Sequence, residues 1–234
     1  MTSTSDLLQN IRKRVQVFGL DMLAVVRAEG SELAGLGLRE PASIILVGSF
    51  GSTFWPGFSC SNECLDGKQH SLDRWSKRVG ESIAEQHGCS VLFPSEGPPY
   101  WPFLSWAERA GLSATSQLGV HIHKEYGLWH AYRFALVASN VEYGLSDTTR
   151  PRAISRCDTC YSQPCLRACP VEAFSPGHYD VDKCASYLKS KPDAECNKRG
   201  CLARRACPVA QEYQYHPEHA AFHMQAFVRA HTNS

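Results

Sequence analysis

No stretch of the 234 residues approaches the roughly 18 uninterrupted apolar side chains that a membrane-spanning helix needs. Neither sign of charge dominates: 24 basic against 23 acidic side chains leave +1, so the whole-molecule field selects neither nucleic acid nor an anionic membrane as main partner. The opening stretch MTSTSDLLQNIRKRV lacks a signal-peptide apolar core and a twin-arginine pair, which predicts a cytoplasmic chain. Repeats of solenoid period and low-complexity tracts are also missing. Cysteine, at 11 residues or about 5%, falls short of the roughly 8–10% of a disulfide scaffold. What cysteine there is lies unevenly. Eight of the 11 fall between Cys157 and Cys207, leaving only Cys60, Cys64 and Cys89 elsewhere. Clustered thiols in a reducing compartment point to metal.

The length suits one large domain or two small ones. Ser5 and Asp6 can cap a helix whose apolar positions Leu7, Leu8, Ile11, Val15 and Phe18 recur at helical spacing until Gly19. Strands are expected around Leu23 to Val26 and at Ile44 to Val47, the latter continuously apolar and hence buried. A glycine-rich turn from Gly48 follows. A second helix runs from Ser71 through Leu72, Trp75, Val79 and Ile83 to Gly88, then a strand near Ser90 to Phe93. After the loop EGPPYWP, a short helix from Leu104 to Arg109 precedes an expected hairpin, LGVHIHKEYGLWHAYRFALVAS, turning near Gly127. The first domain is expected to cover residues 1–148 and the second 149–234. The second holds 12 basic and eight acidic side chains, an excess that could partly offset negatively charged metal clusters or simply be solvated surface.

Two cysteine–proline endings carry most information. CDTCYSQPCLRACP places Cys157, Cys160, Cys165 and Cys169 before Pro170; Cys184, Cys196, Cys201 and Cys207 follow, the last before Pro208. In bacterial two-cluster proteins the cysteine before proline ligates the other 4Fe-4S cluster. That rule assigns Cys157, Cys160, Cys165 and Cys207 to one cluster, and Cys169, Cys184, Cys196 and Cys201 to the second. The spacers are stretched, with four residues between Cys160 and Cys165 where two are usual. One cluster with spare or zinc-bound thiols, or zinc alone, are the alternatives. Zinc would want two compact pairs, and only Cys157 with Cys160 forms one.

The stretch CPVEAFSPGHYDVDKCASYL resembles the iron–sulfur segment of epoxyqueuosine reductases and reductive dehalogenases, in which a cysteine–proline motif is followed by tyrosine, aspartate and a cysteine-x-serine-tyrosine-leucine run. GVHIHKEYGLWHAYR is similar to the cobalamin-processing family of methylmalonic aciduria and homocystinuria type C. The likeness covers roughly Leu104 to Pro208. It implies an α+β fold: a flavin-reductase or nitroreductase-like cobalamin-binding domain followed by a small ferredoxin-like iron–sulfur domain. It also implies a corrinoid with its lower base detached, reduced by two 4Fe-4S clusters. The related fold hosts flavin as well as corrinoid, and the sequence does not choose between them. Two positions differ from the epoxyqueuosine reductases. Gly97, beside Glu96, stands where they carry an aspartate proton donor, and AGLSATSQLG lacks their glycine–lysine pair. The cofactor chemistry is therefore expected to transfer better than a tRNA substrate.

Within that resemblance His123 matches the family histidine, and alternation puts His121 on the same face, opposite Val120 and Ile122. Tyr126, Trp129 and Arg133 follow the family turn; aromatics could cover a corrin face and arginine could meet a phosphate or propionamide, although both residue types also serve ordinary packing. Backbone amides from Gly48 to Thr53 could receive an anion. Cys60 and Cys64 read as reduced thiols or a metal pair, and Cys89 as core. Lys198, Arg199, Arg204 and Arg205 read as charge compensation or as an RNA or electron-donor face. His216, His219, His223 and His231 lie on an expected helix. No catalytic residue is assigned. Three functions follow: an iron–sulfur oxidoreductase or cobalamin-processing protein served by an electron-donor protein or flavin reductase; a cofactor-free electron carrier; and a tRNA-modifying enzyme.

Overall fold

In the computed structural model residues 4–39, 41–139, 141 and 155–232 are described. Along the chain come α1 (Thr4–Gln16), β1 (Asp21–Arg27), α2 (Gly30–Gly35), β2 (Ala42–Phe50), α3 (Trp55–Ser59), α4 (Asn62–Leu65), α5 (Ser71–His87), β3 (Ser90–Leu92) and α6 (Phe103–Arg109). Three strands follow, β4 (Ser113–Thr115), β5 (His121–His123) and β6 (His130–Ser139). The cysteine-rich part holds α7 (Pro164–Arg167), β7 (Phe174–Ser175), β8 (His178–Tyr179), α8 (Val181–Ser190), α9 (Glu195–Arg199), α10 (Leu202–Arg205) and α11 (Pro217–Thr232). None of the described helices is long and apolar enough to cross a membrane.

The chain divides into two compact units. The first is Met1–Leu112 with His130–Ala153, the second Ser113–Trp129 with Ile154–Ser234. The expected boundary at 148 and 149 lies outside the described residues. A single cut also misses a crossing, because Ser113–Trp129 clusters with the cysteine-rich part.

In the first unit an antiparallel sheet has the order β1-β2-β6-β3. β2 is buried from Ala42 through Ser49, as its continuous apolar run predicts. On one face Ile44, Leu46, Ala135 and Val137 meet Phe103 and Trp106 of α6. Gly80 of α5 lies against the rings of Phe93 and Phe134, where a side chain would crowd both. Burying residues such as Ile44, Ile45, Leu46 and Val47 contributes about 1.5–3 kcal/mol each, which far outweighs β2's two buried serine hydroxyls. α1 buries Leu8, Ile11 and Val15, and α5 buries Leu72, Trp75, Val79 and Ile83 before Gly88 ends it in the left-handed region.

Two expectations are corrected. The turn from Gly48 begins later, because Gly48 and Ser49 still belong to β2; a Cβ at Gly48 would meet the Ala131 carbonyl oxygen at 2.3 Å, so close approach of β6 accounts for the glycine. The hairpin near Gly127 does not join β5 to β6. β5 pairs with β4 in the second unit, with Ser113 opposite His123 and Thr115 opposite His121, whereas β6 pairs with β2 and β3 in the first. A tight loop closes instead at His123 and Gly127, which exchange backbone hydrogen bonds of 2.7 and 3.0 Å.

Candidate metal centres

The second unit's sparse apolar residues gather around sulfur. Leu118, Ile122, Leu128, Ala173 and Ala203 form one core with Cys169 and Cys207, and the remaining cysteines from Cys157 onward pack at its edge, save Cys160 and Cys196. Short turns set the thiols of the first group. Ser155 accepts the Cys157 amide at 3.2 Å, Cys160 donates to the Cys157 carbonyl at 3.1 Å, and Pro164 opens α7, which carries Cys165. The chain returns at Cys207 and Pro208. Cys157, Cys160, Cys165 and Cys207 line one cavity of about 310 Å³ of empty space, partly open to solvent, with Ile122 in its wall.

A separate cavity of about 300 Å³, again partly open, is lined by Cys169, Cys184, Cys196 and Cys201, with Phe174, Leu188 and Met224 in its wall. Each sulfur arrives on a different element. The Asp180 carboxylate accepts the Lys183 amide at 2.8 Å and caps α8, which carries Cys184; α9 carries Cys196, and Cys201 precedes α10. The Ala173 amide donates to Cys169 Sγ at 3.3 Å. Tyr179 stacks on Phe174 at 4.5 Å, and burial, with Cys184 nearby, pushes its phenol up. The eight cysteines thus fall into the two sets of four that the cysteine–proline rule gives. Among the described residues no three His, Cys, Asp or Glu side chains converge tightly enough for a single metal ion.

Burial pushes the Cys165, Cys184, Cys196 and Cys207 thiols up, and that of Cys201 to about 11. Arg205 opposes this at Cys196, and Arg205 and Arg199 both pair with Glu195, while Lys198 pairs with Asp193 at 3.0 Å. Arg204 is different: its guanidinium lies 4.8 Å from the Trp129 ring centroid and 4.5 Å from that of Tyr215, and donates to the Leu128 carbonyl. Glycine permits two close approaches at these walls. Gly127 (φ +56°) leaves room for the Val209 carbonyl, which a Cβ would meet at 2.7 Å, and Gly200 (φ +86°) faces the Ala220 methyl.

Four of the five cofactor candidates lie in the second unit. His121 Nδ1 is 3.2 Å from the Ser113 hydroxyl. His123 is buried and stacked on Tyr126 at 4.8 Å, and its Nδ1 accepts amides from Glu125 and Tyr126 at 3.1 and 3.3 Å. That fixes the neutral ring's proton on Nε2, so His123 offers a hydrogen-bond donor there instead of a ligand lone pair. Tyr126 meets Tyr213 edge-on, and Trp129 meets Tyr215 edge-on. Arg133 belongs to the first unit, with its guanidinium 5.6 Å from the Phe54 ring centroid. Val120 is exposed and precedes β5, while Ile122 faces the first cavity.

The remaining candidates are scattered. Glu96 pairs with Lys77 at 2.9 Å. Cys60 is exposed, Cys64 and Cys89 half-buried. Thr53 donates its hydroxyl to the Gly19 and Phe50 carbonyls. His219 is buried, with its Nε2 3.0 Å from that of His223 on α11 and its ring stacked on Tyr215. Tyr179 and Met224 were not singled out as site residues; only Tyr179 leaves a trace, as the tyrosine of the HYD triplet.

No family model matches the chain. It is 32% identical over 116 residues to an epoxyqueuosine reductase of Synechocystis sp., covering 46% of this chain and 37% of that protein. The chain therefore spans well under half the length of that curated relative. Among solved structures, epoxyqueuosine reductase from Bacillus subtilis superposes with a TM-score of 0.52 at 15% identity, covering 92% of this chain and 68% of that one. An epoxyqueuosine reductase solved with a modified tRNA stem loop gives 0.52 at 17% identity, covering 93% and 71%. The C. elegans B12-trafficking protein CblC gives 0.54 at 12%, covering 95% and 92%. The mixed helix-and-sheet fold is shared with both groups, and the sequence likeness is to the epoxyqueuosine reductases.

Proposed function

We propose that the chain is an iron–sulfur oxidoreductase holding two 4Fe-4S clusters, one on Cys157, Cys160, Cys165 and Cys207 and the other on Cys169, Cys184, Cys196 and Cys201, and that it serves a corrinoid. One observation carries this: eight thiols ring two separate spaces, four to each. Four thiols around each space that do not converge tightly enough for a single ion roughly 2.3 Å from every sulfur suit the corners of an inorganic cube better. Once bound, such clusters supply one-electron storage at low potential. The chain's own part is to hold and shield them. Ile122, Leu188 and Met224 limit water, the Ala173 amide donates to a sulfur, and Arg205 offsets negative charge. The β7–β8 ladder between cysteine-bearing turns supports a ferredoxin-like second domain.

The corrinoid reading draws on the fold shared with a B12-trafficking protein and on the motif around His123. The ring can donate from Nε2 but not coordinate cobalt there, which fits a corrinoid held without a histidine ligand. Anaerobic reconstitution should give about eight irons per chain and paramagnetic signals after dithionite. Stoichiometric zinc with little iron would overturn the cluster assignment. Hydroxocobalamin added to that protein should take on a base-off spectrum; an unchanged spectrum at saturation leaves a simple electron carrier. A second reading, tRNA modification, is favoured by the match to the Synechocystis epoxyqueuosine reductase. Salt-sensitive tRNA binding together with epoxyqueuosine turnover would establish it, and failure of both would remove it.

A further inference from the structure

Two histidines of α11 lie outside both cysteine cavities and outside the function proposed above. His219 and His223 stand four residues apart, which puts them one above the other on one face of the helix. Their Nε2 atoms are 3.0 Å apart. His219 is buried, and its ring stacks on Tyr215 with 4.0 Å between centroids and 25° between planes. Tyr215 in turn meets Trp129 edge-on at 5.5 Å, and Phe222 meets the His223 ring edge-on at 5.6 Å. Aromatic packing thus sets both imidazoles, with one nitrogen of each turned toward the other.

A gap of 3.0 Å admits one hydrogen, because two N–H bonds aimed at each other would collide. At least one Nε2 therefore offers a lone pair. The two nitrogens also have the spacing of neighbours around one metal ion: an ion roughly 2.0–2.1 Å from each sees them about 95° apart. Widening the gap by about 0.3 Å reaches the tetrahedral angle.

We propose that His219 and His223 form a two-nitrogen site on α11 for a divalent transition-metal ion of the zinc, nickel and copper class. Imidazole nitrogen suits these ions, and histidines four apart on one helical face are a known arrangement for zinc. The ion takes the place of the shared hydrogen. Both neutral rings then carry their N–H on Nδ1, so no proton is gained or lost. Among the described residues no third His, Cys, Asp or Glu side chain joins the pair, and water or an incoming donor fills the other positions. Such a site exchanges its ion readily and stays open to a small ligand, unlike a closed structural one. Its donors are nitrogen alone, so the proposal does not depend on what the cysteine cavities hold.

The test uses the full chain, loaded anaerobically with iron and sulfide so that its thiols do not compete, and dialysed against zinc chloride. Wild type is expected to bind one more zinc per chain than His223→Gln, which keeps a polar side chain and removes the ring; His231→Gln, farther along α11, should keep the wild-type count. The difference between the zinc absorption edges of wild type and His223→Gln should show nitrogen and oxygen neighbours at about 2.0–2.1 Å, with two imidazole rings and no sulfur at about 2.3 Å. Equal zinc in the two proteins, which leaves a hydrogen-bonded pair only, or sulfur around the extra ion would overturn the proposal. Should His223→Gln lose iron, the wild-type protein decides: zinc must protect His223 from diethyl pyrocarbonate while His231 stays reactive, and equal labelling of His223 with and without zinc is fatal.

Discussion

Glu32 shows how a single carboxylate of α2 ties that helix to α6. Its oxygens accept from both terminal nitrogens of Arg109 at 2.9 Å, from the Trp106 indole, and from the Glu29 amide at 2.7 Å. Burial pushes the carboxyl up, but the hydrogen bonds from Arg109, the Glu29 backbone and Trp106 together outweigh it and hold the group below its ordinary range. A carboxylate depressed in the folded state adds stability above its unfolded pKa, and that stability disappears as pH falls through the folded value. Glu32→Gln should therefore cost about 2 kcal/mol at pH 7, the loss of a charged hydrogen-bonding partner, and far less near pH 3. Urea midpoints of the two proteins at both pH values check this; an equal gap at pH 3 and pH 7 would refute the electrostatic account.

Among the elements, α8 couples a small capping bond to a proposed metal ligand, Cys184. Removing the Asp180 carboxylate leaves the Lys183 amide without its acceptor at the helix start, a loss of about 1 kcal/mol for a cap of this kind. Because Cys184 sits in the first turn of α8, Asp180→Ala should release iron to a chelator in two phases, about half of it faster than in wild type. A uniform acceleration would mean that α8 does not serve one cavity alone. The helices α1 and α5 and the strand β2 were legible in the sequence because long apolar periods outvote local noise. β4 and the four- and five-residue helices were not, being too short to show a period. β5 was matched to the wrong neighbour for a different reason. Alternation identifies a strand and its faces, but pairing is settled by residues far along the chain, here Ser113 to Thr115. The two sets of cysteines that line the cavities match the grouping expected from two prolines, whereas the stacking of Tyr179 on Phe174 depends on a two-residue ladder that no pattern announces.

At the scale of the whole molecule the two units differ in what holds them. The first has a continuous apolar sheet core; the second has a few aliphatic side chains around thiols. On the proposed cluster reading, stripping metal should cost the second unit its hydrogen-exchange protection, in Ser113–Trp129 as well as beyond residue 155, while β2 and β6 keep theirs. Alkaline pH should worsen the loss. Thiols raised by burial stabilise the metal-free fold below their ordinary range and cease to do so as pH rises through the folded values, about 11 for Cys201. The melting temperature of metal-free protein should thus fall between pH 8 and pH 11, and a flat profile would count against the buried thiols.

The excursion of Ser113–Trp129 into the second unit bears on how the polypeptide is made. During synthesis β4 and β5 leave the ribosome before β6, which occupies an interior position in the first sheet, and well before Cys157 to Val209, against which Ile122 and Gly127 come to rest. Neither half can be finished while the other has yet to begin. Assembly is therefore interleaved in time, and the cysteine-rich tail was never a detachable cartridge.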